Sequence, residues 1–236
     1  PATRAPLVAT VHDLAWRHRP DHFTNRGRRM FEAWLEAAGR ARCVLCPSAA
    51  TAADLVGAGI PTERICVVPL GVDLRVAEPV GVEALRSRYG LQGSVVLWVG
   101  VAEPRKNLAG LVEAMATVPD AVLVLVGPPG WGVDVQRLVA PLGDRVRVVG
   151  PVTADEKRAW YALADVFVFP SLLEGFGLPV LEAMAQGTPV VTSVGTATAE
   201  VVGSAGVLVD PTDSVSLAEG IRHLLDDAPE AARFAA

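Results

Sequence analysis

Lysine is nearly absent from this chain of 236 residues: of its 21 basic side chains only Lys106 and Lys157 are lysines, and the others are arginines. Positive charge is also the minority sign. With 26 Asp and Glu the formal charge is −5, so the broad basic field that nucleic-acid binding needs is missing, and nucleic acid is excluded as a main partner. Cysteine is scarce, and Cys43, Cys46 and Cys66 are too few for a disulfide framework. The longest apolar runs, residues 94–102 and 121–126, have strand length and fall far short of the ~20 residues that cross a bilayer. No charged-then-apolar leader is legible, so a reducing cytoplasm is the expected setting. What is present is 51% hydrophobic and 20% charged content, which suits a globular chain with a sizeable core.

The second half alternates strand-like runs with helical patterns, as a parallel sheet covered by helices on both faces requires. Strands are predicted at residues 95–99, 121–126, 146–149, 166–169, 189–192 and 207–209, and helices at 108–116, 133–140, 154–164, 179–186 and 214–226. That pattern is α/β, a Rossmann-like doubly wound parallel sheet. The first 69 residues repeat the theme with strands at 7–11, 42–46 and 65–68 and helices near 24–38 and 49–56, too few strands for a complete domain of that kind. Between them Pro69, Gly71, Pro79 and Gly81 punctuate a stretch with neither period. The expected division is an incomplete domain at 1–69, a linker at 70–82 and a complete domain at 83–236. Residues 26–42 are locally basic and set Met30, Phe31, Trp34, Leu35 and Ala38 on one helical face, which reads either as core-facing or as a surface that meets a membrane or a lipid acceptor.

Chemistry concentrates in two loops. In FPSLLEGFGLPVLEAMAQG, residues 169–187, a strand gives way to a loop with Ser171 and Glu174, then Gly175-Phe176-Gly177, then a helix started by Pro179. Free N–H groups at such a helix start, reinforced by its dipole, favour an anion such as a phosphate. Glu182 follows Glu174 by eight residues, so one carboxylate sits in the loop and the other about a turn into the helix, where both can face the crevice at the carboxyl ends of the strands. They either hold sugar hydroxyls or merely complement the dipole. The second loop runs from Gly100 through Glu103-Pro-Arg-Lys-Asn107; Arg105 offers a fork and Lys106 a point charge to a diphosphate, and Asn107 is a natural N-cap. His12-Asp13 after the first strand reads equally as a hydrogen-bonded turn or a catalytic element. Cys43-Val-Leu-Cys46 on a strand would aim its thiols at opposite faces, which fits buried thiols better than a metal site.

Taken together these segments resemble the retaining glycosyltransferases of the GT-B fold, family 4 (glycosyl transferases group 1). The resemblance runs in the family's order through VHDLAWRHRPDHF (11–23), VLCPSAATAADL (44–55), ICVVPLGVD (65–73), WVGVAEPRKNLAGLVEA (98–114), VRVVGPV (146–152), LADVFVFPSLLEGFGLPVLEAMAQGTPVV (163–191) and AEVVGSAGVLVDPTD (199–213), of which EGFGLPVLEAMA is the most specific. It implies that Glu174 and Glu182 end an E-x7-E motif, the first near the transferred sugar and the second on the nucleotide ribose. The amides of Gly175, Phe176, Gly177 and Leu178 would meet sugar and diphosphate, Lys106 and Arg105 would clamp the leaving diphosphate beside Gly100, and Val152 would lie near the base. His12 would approach the donor sugar from the other domain. Many members carry an Arg directly after the strand glycine where this chain has Val101, so either Arg105 stands in or the clamp is thinner.

The implied activity is metal-independent transfer of a hexose, with a lean toward mannose, from a nucleoside-diphosphate sugar to a glycan, lipid-linked or small-molecule acceptor in polysaccharide or cell-envelope synthesis. No cofactor is called for, and no Asp-x-Asp motif is present to hold a metal. An epimerase or phosphorylase of the same fold, or a non-catalytic nucleotide-sugar-binding module, are the competing readings. The enzyme is placed in the cytoplasm, with peripheral contact at the inner face of the cell membrane as an extension. The family's opening strand and glycine loop have no counterpart, and the chain stops before the usual closing helix, so it is expected to be a fragment of a longer enzyme.

Overall fold

The computed structural model describes residues 5–235. Its elements run β1 (Val8–Thr10), α1 (Ala15–His18), α2 (Asn25–Ala38), β2 (Cys43–Cys46), α3 (Ala49–Gly57), β3 (Ile65–Val67), α4 (Pro79–Arg88), β4 (Ser94–Val99), α5 (Leu108–Ala116), β5 (Ala121–Val126), α6 (Val135–Val139), β6 (Val146–Gly150), α7 (Ala154–Leu163), β7 (Val166–Phe169), α8 (Leu178–Met184), β8 (Val190–Ser193), α9 (Ala197–Val202), β9 (Val207–Val209), α10 (Ser214–Asp226) and α11 (Ala228–Ala235).

Two all-parallel sheets result, one ordered β1-β2-β3 and one ordered β6-β5-β4-β7-β8-β9. Counting only its own strands, the larger sheet reads 3-2-1-4-5-6, the doubly wound order in which the chain reverses direction between the first and fourth strands, here β4 and β7. That order explains why Val95–Val99 of β4 and all of β7 are apolar without alternation: both faces of a central parallel strand are covered by helices. The main core gathers these strands with Leu111, Met115, Trp160, Tyr161 and Ile221 from the surrounding helices. Each fully buried large side chain there is worth roughly 1.5–3 kcal/mol relative to exposure. A separate core of Leu14, Trp16, Leu35, Val44, Leu55 and Ile60 supports the small sheet.

Helix starts follow local chemistry. Ser48 accepts from Thr51 N and Asp213 from Val215 N, while Thr153 and Glu156 form a reciprocal capping box on α7.

Several expectations need correction. The stretch 70–82 is irregular only to Glu78, because Pro79 supplies a ready-made first turn and starts α4. The helix expected at 133–140 is one short turn followed by a 3-10 segment that contains Gly143 at φ +55°. Helix α8 begins at Leu178 and ends at Met184, two residues short of the expected end, and α9 and α11 were not anticipated. On α2 only Leu35 and Ala38 are buried; Phe31 packs between Trp16, Phe23 and Trp34, while Met30 and Trp34 stay exposed. Of the two thiols on β2, Cys46 is buried and Cys43 half-buried.

Candidate functional site

The crevice of a doubly wound sheet opens where strand order reverses, so the loops that leave β4 and β7 must line it. These are the two loops in which the sequence concentrates its chemistry. The β4 loop begins at Gly100, whose carbonyl lies where a Cβ on Gly127 would have to sit, at 1.9 Å. The loop ends in a 3-10 turn, Pro104–Lys106, and Asn107 with φ +54°, the one non-glycine residue at positive φ among the described residues. Asn tolerates that region. Its side chain caps α5 at Gly110 N and donates to Pro211 O, tying this loop to the one after β9.

This tight turn aims two cations at the β7 loop. Lys106 Nζ is 2.6 Å from Glu174 Oε1, and Arg105 Nη1 is 3.0 Å from Glu174 Oε2. Arg105 also reaches Glu103 at 2.7 Å and donates to Leu173 O, and Leu172 N donates to Arg105 O. Lys106 further lies over the Phe169 ring at 4.6 Å, a cation–π contact. Lys106 and Glu103 are buried, and the Glu174 side chain is 8% exposed. Burial pushes the Lys106 ammonium below its ordinary range, and Glu174 offsets only part of that. For Arg105 burial works in the same sense, but Glu174, Glu103 and Asp13 outweigh it and raise its affinity for the proton. Two positive and two negative side chains therefore balance inside a poorly solvated pocket, and in the β7 loop Ser171 Oγ is buried with no hydrogen-bond partner among the described residues.

The next loop residues face the small sheet. A Cβ on Gly175 would lie 1.9 Å from His12 O and 2.9 Å from Asp13 Cβ, so only glycine lets the loop rest on the turn after β1. The backbone of His12 thus rests against Gly175 with its side chain exposed, and Asp13 joins the charge environment of Arg105. Gly177 caps α8 at φ +104°, where a Cβ would meet Thr198 Cγ2 at 2.6 Å. Phe176 is half-buried, Leu178 exposed, and the Phe176 N–H has no hydrogen-bond partner among the described residues.

Glu182 is placed apart from this cluster. Its carboxylate accepts from Lys157 Nζ at 2.7 Å and from Tyr161 OH at 2.9 Å, both on α7, rather than sharing a partner with Glu174. Burial first, and then Glu182, keep Tyr161 protonated well beyond the usual phenol range. Val152 lies in the loop between β6 and α7 and packs against the main core. The structure therefore joins Arg105, Lys106, Glu174, Gly175 and His12, with Gly100 at the root of the β4 loop, and gives Glu182 its own partners. Sequence reasoning assigned no part to Glu103, Lys157 or Tyr161, and it weighed Asp13 only as the partner of His12. The only signal for Lys157 was the scarcity of lysine: each of the two lysines is bonded to one of the two glutamates. Among the described residues no group of three or more His, Cys, Asp or Glu is placed to hold a metal ion.

Residues 93–227 match the family described as glycosyl transferases group 1, and residues 1–76 match glycosyltransferase family 4. The chain is similar to the O-antigen chain mannosyltransferase B of Escherichia coli, at 35% identity over 93% of this chain and 61% of that protein. It is similar also to the MMP alpha-(1->4)-mannosyltransferase of Mycolicibacterium hassiacum, at 33% identity over 97% of this chain and 59% of the relative. Among solved structures, Anabaena HepE in complex with UDP and glucose superimposes with a TM-score of 0.86 at 29% identity, covering 98% of this chain and 65% of the other. The chain thus spans about three-fifths of the length of the curated relatives it matches.

Proposed function

Because this chain belongs to the glycosyl transferases group 1 family and has the α/β architecture of the GT-B glycosyltransferases, we propose that the protein moves a hexose, with retention, from a nucleoside-diphosphate sugar to an acceptor hydroxyl in glycan or cell-envelope synthesis. The observation that carries this reading is the buried Lys106–Glu174–Arg105 cluster at the point where strand order reverses. Two relatives named as mannosyltransferases favour mannose as the sugar. Residues 83–236 would hold the donor and residues 1–69 would face the acceptor, with 70–82 between them.

In the proposed reaction the bond from the anomeric carbon to the diphosphate oxygen breaks as the bond to the acceptor oxygen forms on the same face. The acceptor's proton passes to the departing phosphate oxygen, so no protein base is required. Charge then accumulates on the diphosphate. Arg105 and Lys106 are preorganised to meet it in a site where water does not screen them. Glu174 has both oxygens engaged by those cations, so its role is to keep Lys106 charged despite burial and to orient the sugar, not to attack it. The free Phe176 N–H and the amides of Gly175, Gly177 and Leu178 would meet the sugar and diphosphate, Glu182 the ribose, and Val152 the neighbourhood of the base. His12 would close over the sugar from the acceptor side.

Peripheral membrane contact belongs to the same reading. On α2 Arg26, Arg28 and Arg29 are exposed beside Met30 and Trp34, the composition of an interfacial surface. No helix of the described residues is long and apolar enough to cross a membrane.

The test is calorimetric titration of the protein with UDP, GDP and ADP, then with the corresponding sugar nucleotides, with and without EDTA. Binding of one nucleotide that survives EDTA and is weakened by Lys106→Ala and by Glu182→Ala is expected. A folded protein that binds none of them would overturn the assignment.

A further inference from the structure

The segment VLCPSAATAADL, residues 44–55, lies in the small sheet and its following helix rather than in either charged loop. Its Ser48 and Thr51 are both 2% exposed. Ser48 caps α3 through Thr51 N, and both side chains reach beyond the helix. Ser48 Oγ donates to Gly175 O at 2.7 Å, and Thr51 Oγ1 donates to the same oxygen at 3.1 Å, across more than 120 residues of sequence. Thr51 Oγ1 also lies 3.4 Å from His12 O. Two hydroxyls on one helix start therefore grip the single carbonyl of the glycine that touches the His12 turn.

The grip has a geometric consequence. A peptide unit is planar, with its C=O and N–H pointing in opposite directions. The Gly175 carbonyl and the Phe176 N–H share one such unit, so anchoring the carbonyl on α3 turns the Phe176 N–H away from α3, and that N–H is free among the described residues. The other end of the loop is fixed by the same framework: Gly177 rests on Thr198 of α9. Two residues further along α9 the Glu200 carboxylate accepts from Ala49 N at 2.8 Å and Ala50 N at 2.7 Å, closing a ring back to the start of α3.

We propose that Ser48 and Thr51, held in place by Glu200, are positioning residues that fix the Gly175–Phe176 peptide so that its N–H presents a preset donor to the diphosphate of the sugar nucleotide. The inference rests on the transferase reading given above. It assigns to the first-half helix a part in donor binding, although the nucleotide would sit mainly against the larger sheet. The hydroxyls act through the peptide and need not touch the ligand.

The test uses the Ser48→Ala/Thr51→Val double variant, Glu200→Gln, and Thr51→Ser as the conservative rescue. Each is assayed for affinity toward whichever of UDP, GDP and ADP binds the parent, for donor turnover, for melting temperature, and for amide exchange across residues 174–178. The expected result is roughly tenfold weaker nucleotide binding in the double variant, on the scale of one well-placed hydrogen bond. Amide exchange should be faster across the loop, and Thr51→Ser should keep most of the affinity. Glu200→Gln should give a smaller loss in the same direction. A folded double variant with affinity and exchange within twofold of the parent, while Lys106→Ala still weakens binding, overturns the positioning role and leaves the transferase reading standing. If Lys106→Ala also has no effect, the donor site itself is wrong. Should the double variant not fold, Thr51→Val alone decides on the same readouts.

Discussion

Replacing Gly175 by alanine adds a single methyl group at the contact between the two sheets. The φ of Gly175 lies outside the left-handed region, so the backbone itself accepts alanine and the whole effect comes from the contact. The new Cβ would stand 1.9 Å from His12 O and 2.9 Å from Asp13 Cβ, and both neighbours are fixed parts of the chain rather than flexible tips. The loop must retreat by more than an ångström to restore contact distance. Overpacking of this kind costs about 1–3 kcal/mol. In a chain of this size that corresponds to a fall in melting temperature of about 2–12 °C. The retreat also strips the Gly175 carbonyl of its bonds from Ser48 and Thr51 and shifts Glu174 relative to Lys106. Misplacement of about 1 Å in a reacting site costs on the order of a hundredfold in rate. The assay pairs thermal melting with donor turnover, using Gly71→Ala as the control, because a Cβ at Gly71 meets nothing within 4 Å. A Gly175→Ala protein that melts within 1 °C of the parent and turns over within twofold would refute the claim that this loop is clamped against the His12 turn.

Other outcomes follow from the same geometry. Burial holds the Lys106 proton less tightly than the 10.5 of an ordinary lysine, so nucleotide affinity should decline as pH rises on a limb lying below 10.5, and Lys106→Arg should remove that limb. The same depression means that the unfolded chain holds this proton more firmly than the folded one, so the contribution to stability grows as pH rises through that window. Lys157→Met should weaken nucleotide binding severalfold with turnover at saturation nearly preserved, because it frees Glu182 Oε1 without touching the Lys106 cluster; equal losses in both parameters would contradict this. Titration followed by tyrosinate absorbance should show one tyrosine that ionises only well above pH 10, and Tyr161→Phe should abolish that late phase. Trp160→Ala, at a fully buried ring stacked edge-on against Tyr89, should cost about 3–5 kcal/mol in chemical unfolding.

Much of the larger sheet was legible because its signal is local. Residues 121–126, 166–169 and 207–209 were predicted as strands and are strands, and 108–116 and 214–226 were predicted as helices and are helices, since each combines one clear period with a cap or a breaker at its end. Where the reading failed, the local signal was weak or shared. Helix α4 hides behind two prolines and two glycines that also mark a linker, and α9 is only six residues long. On α2 the apolar stripe was correctly placed, yet periodicity cannot say how much of a stripe finds a partner, and Trp34 remains 59% exposed.

For the site the boundary falls in the same place. Sequence alone supplied the chemistry: two glutamates eight residues apart, two glycines flanking Phe176 just before a helix, and two lysines in a chain that otherwise avoids them. Those are properties of residue type and spacing, which the chain carries whether folded or not. Tertiary structure decided the partnerships. That Lys106 bonds Glu174 and Lys157 bonds Glu182, that Asp13 lies in the field of Arg105, and that Ser48 and Thr51 hold the carbonyl of Gly175 all depend on strand order bringing β4 beside β7 and on the small sheet resting against the β7 loop. Hydrogen bonds and ion pairs act over a few ångströms, and distances of that kind between residues 25 or more positions apart are set by the fold alone.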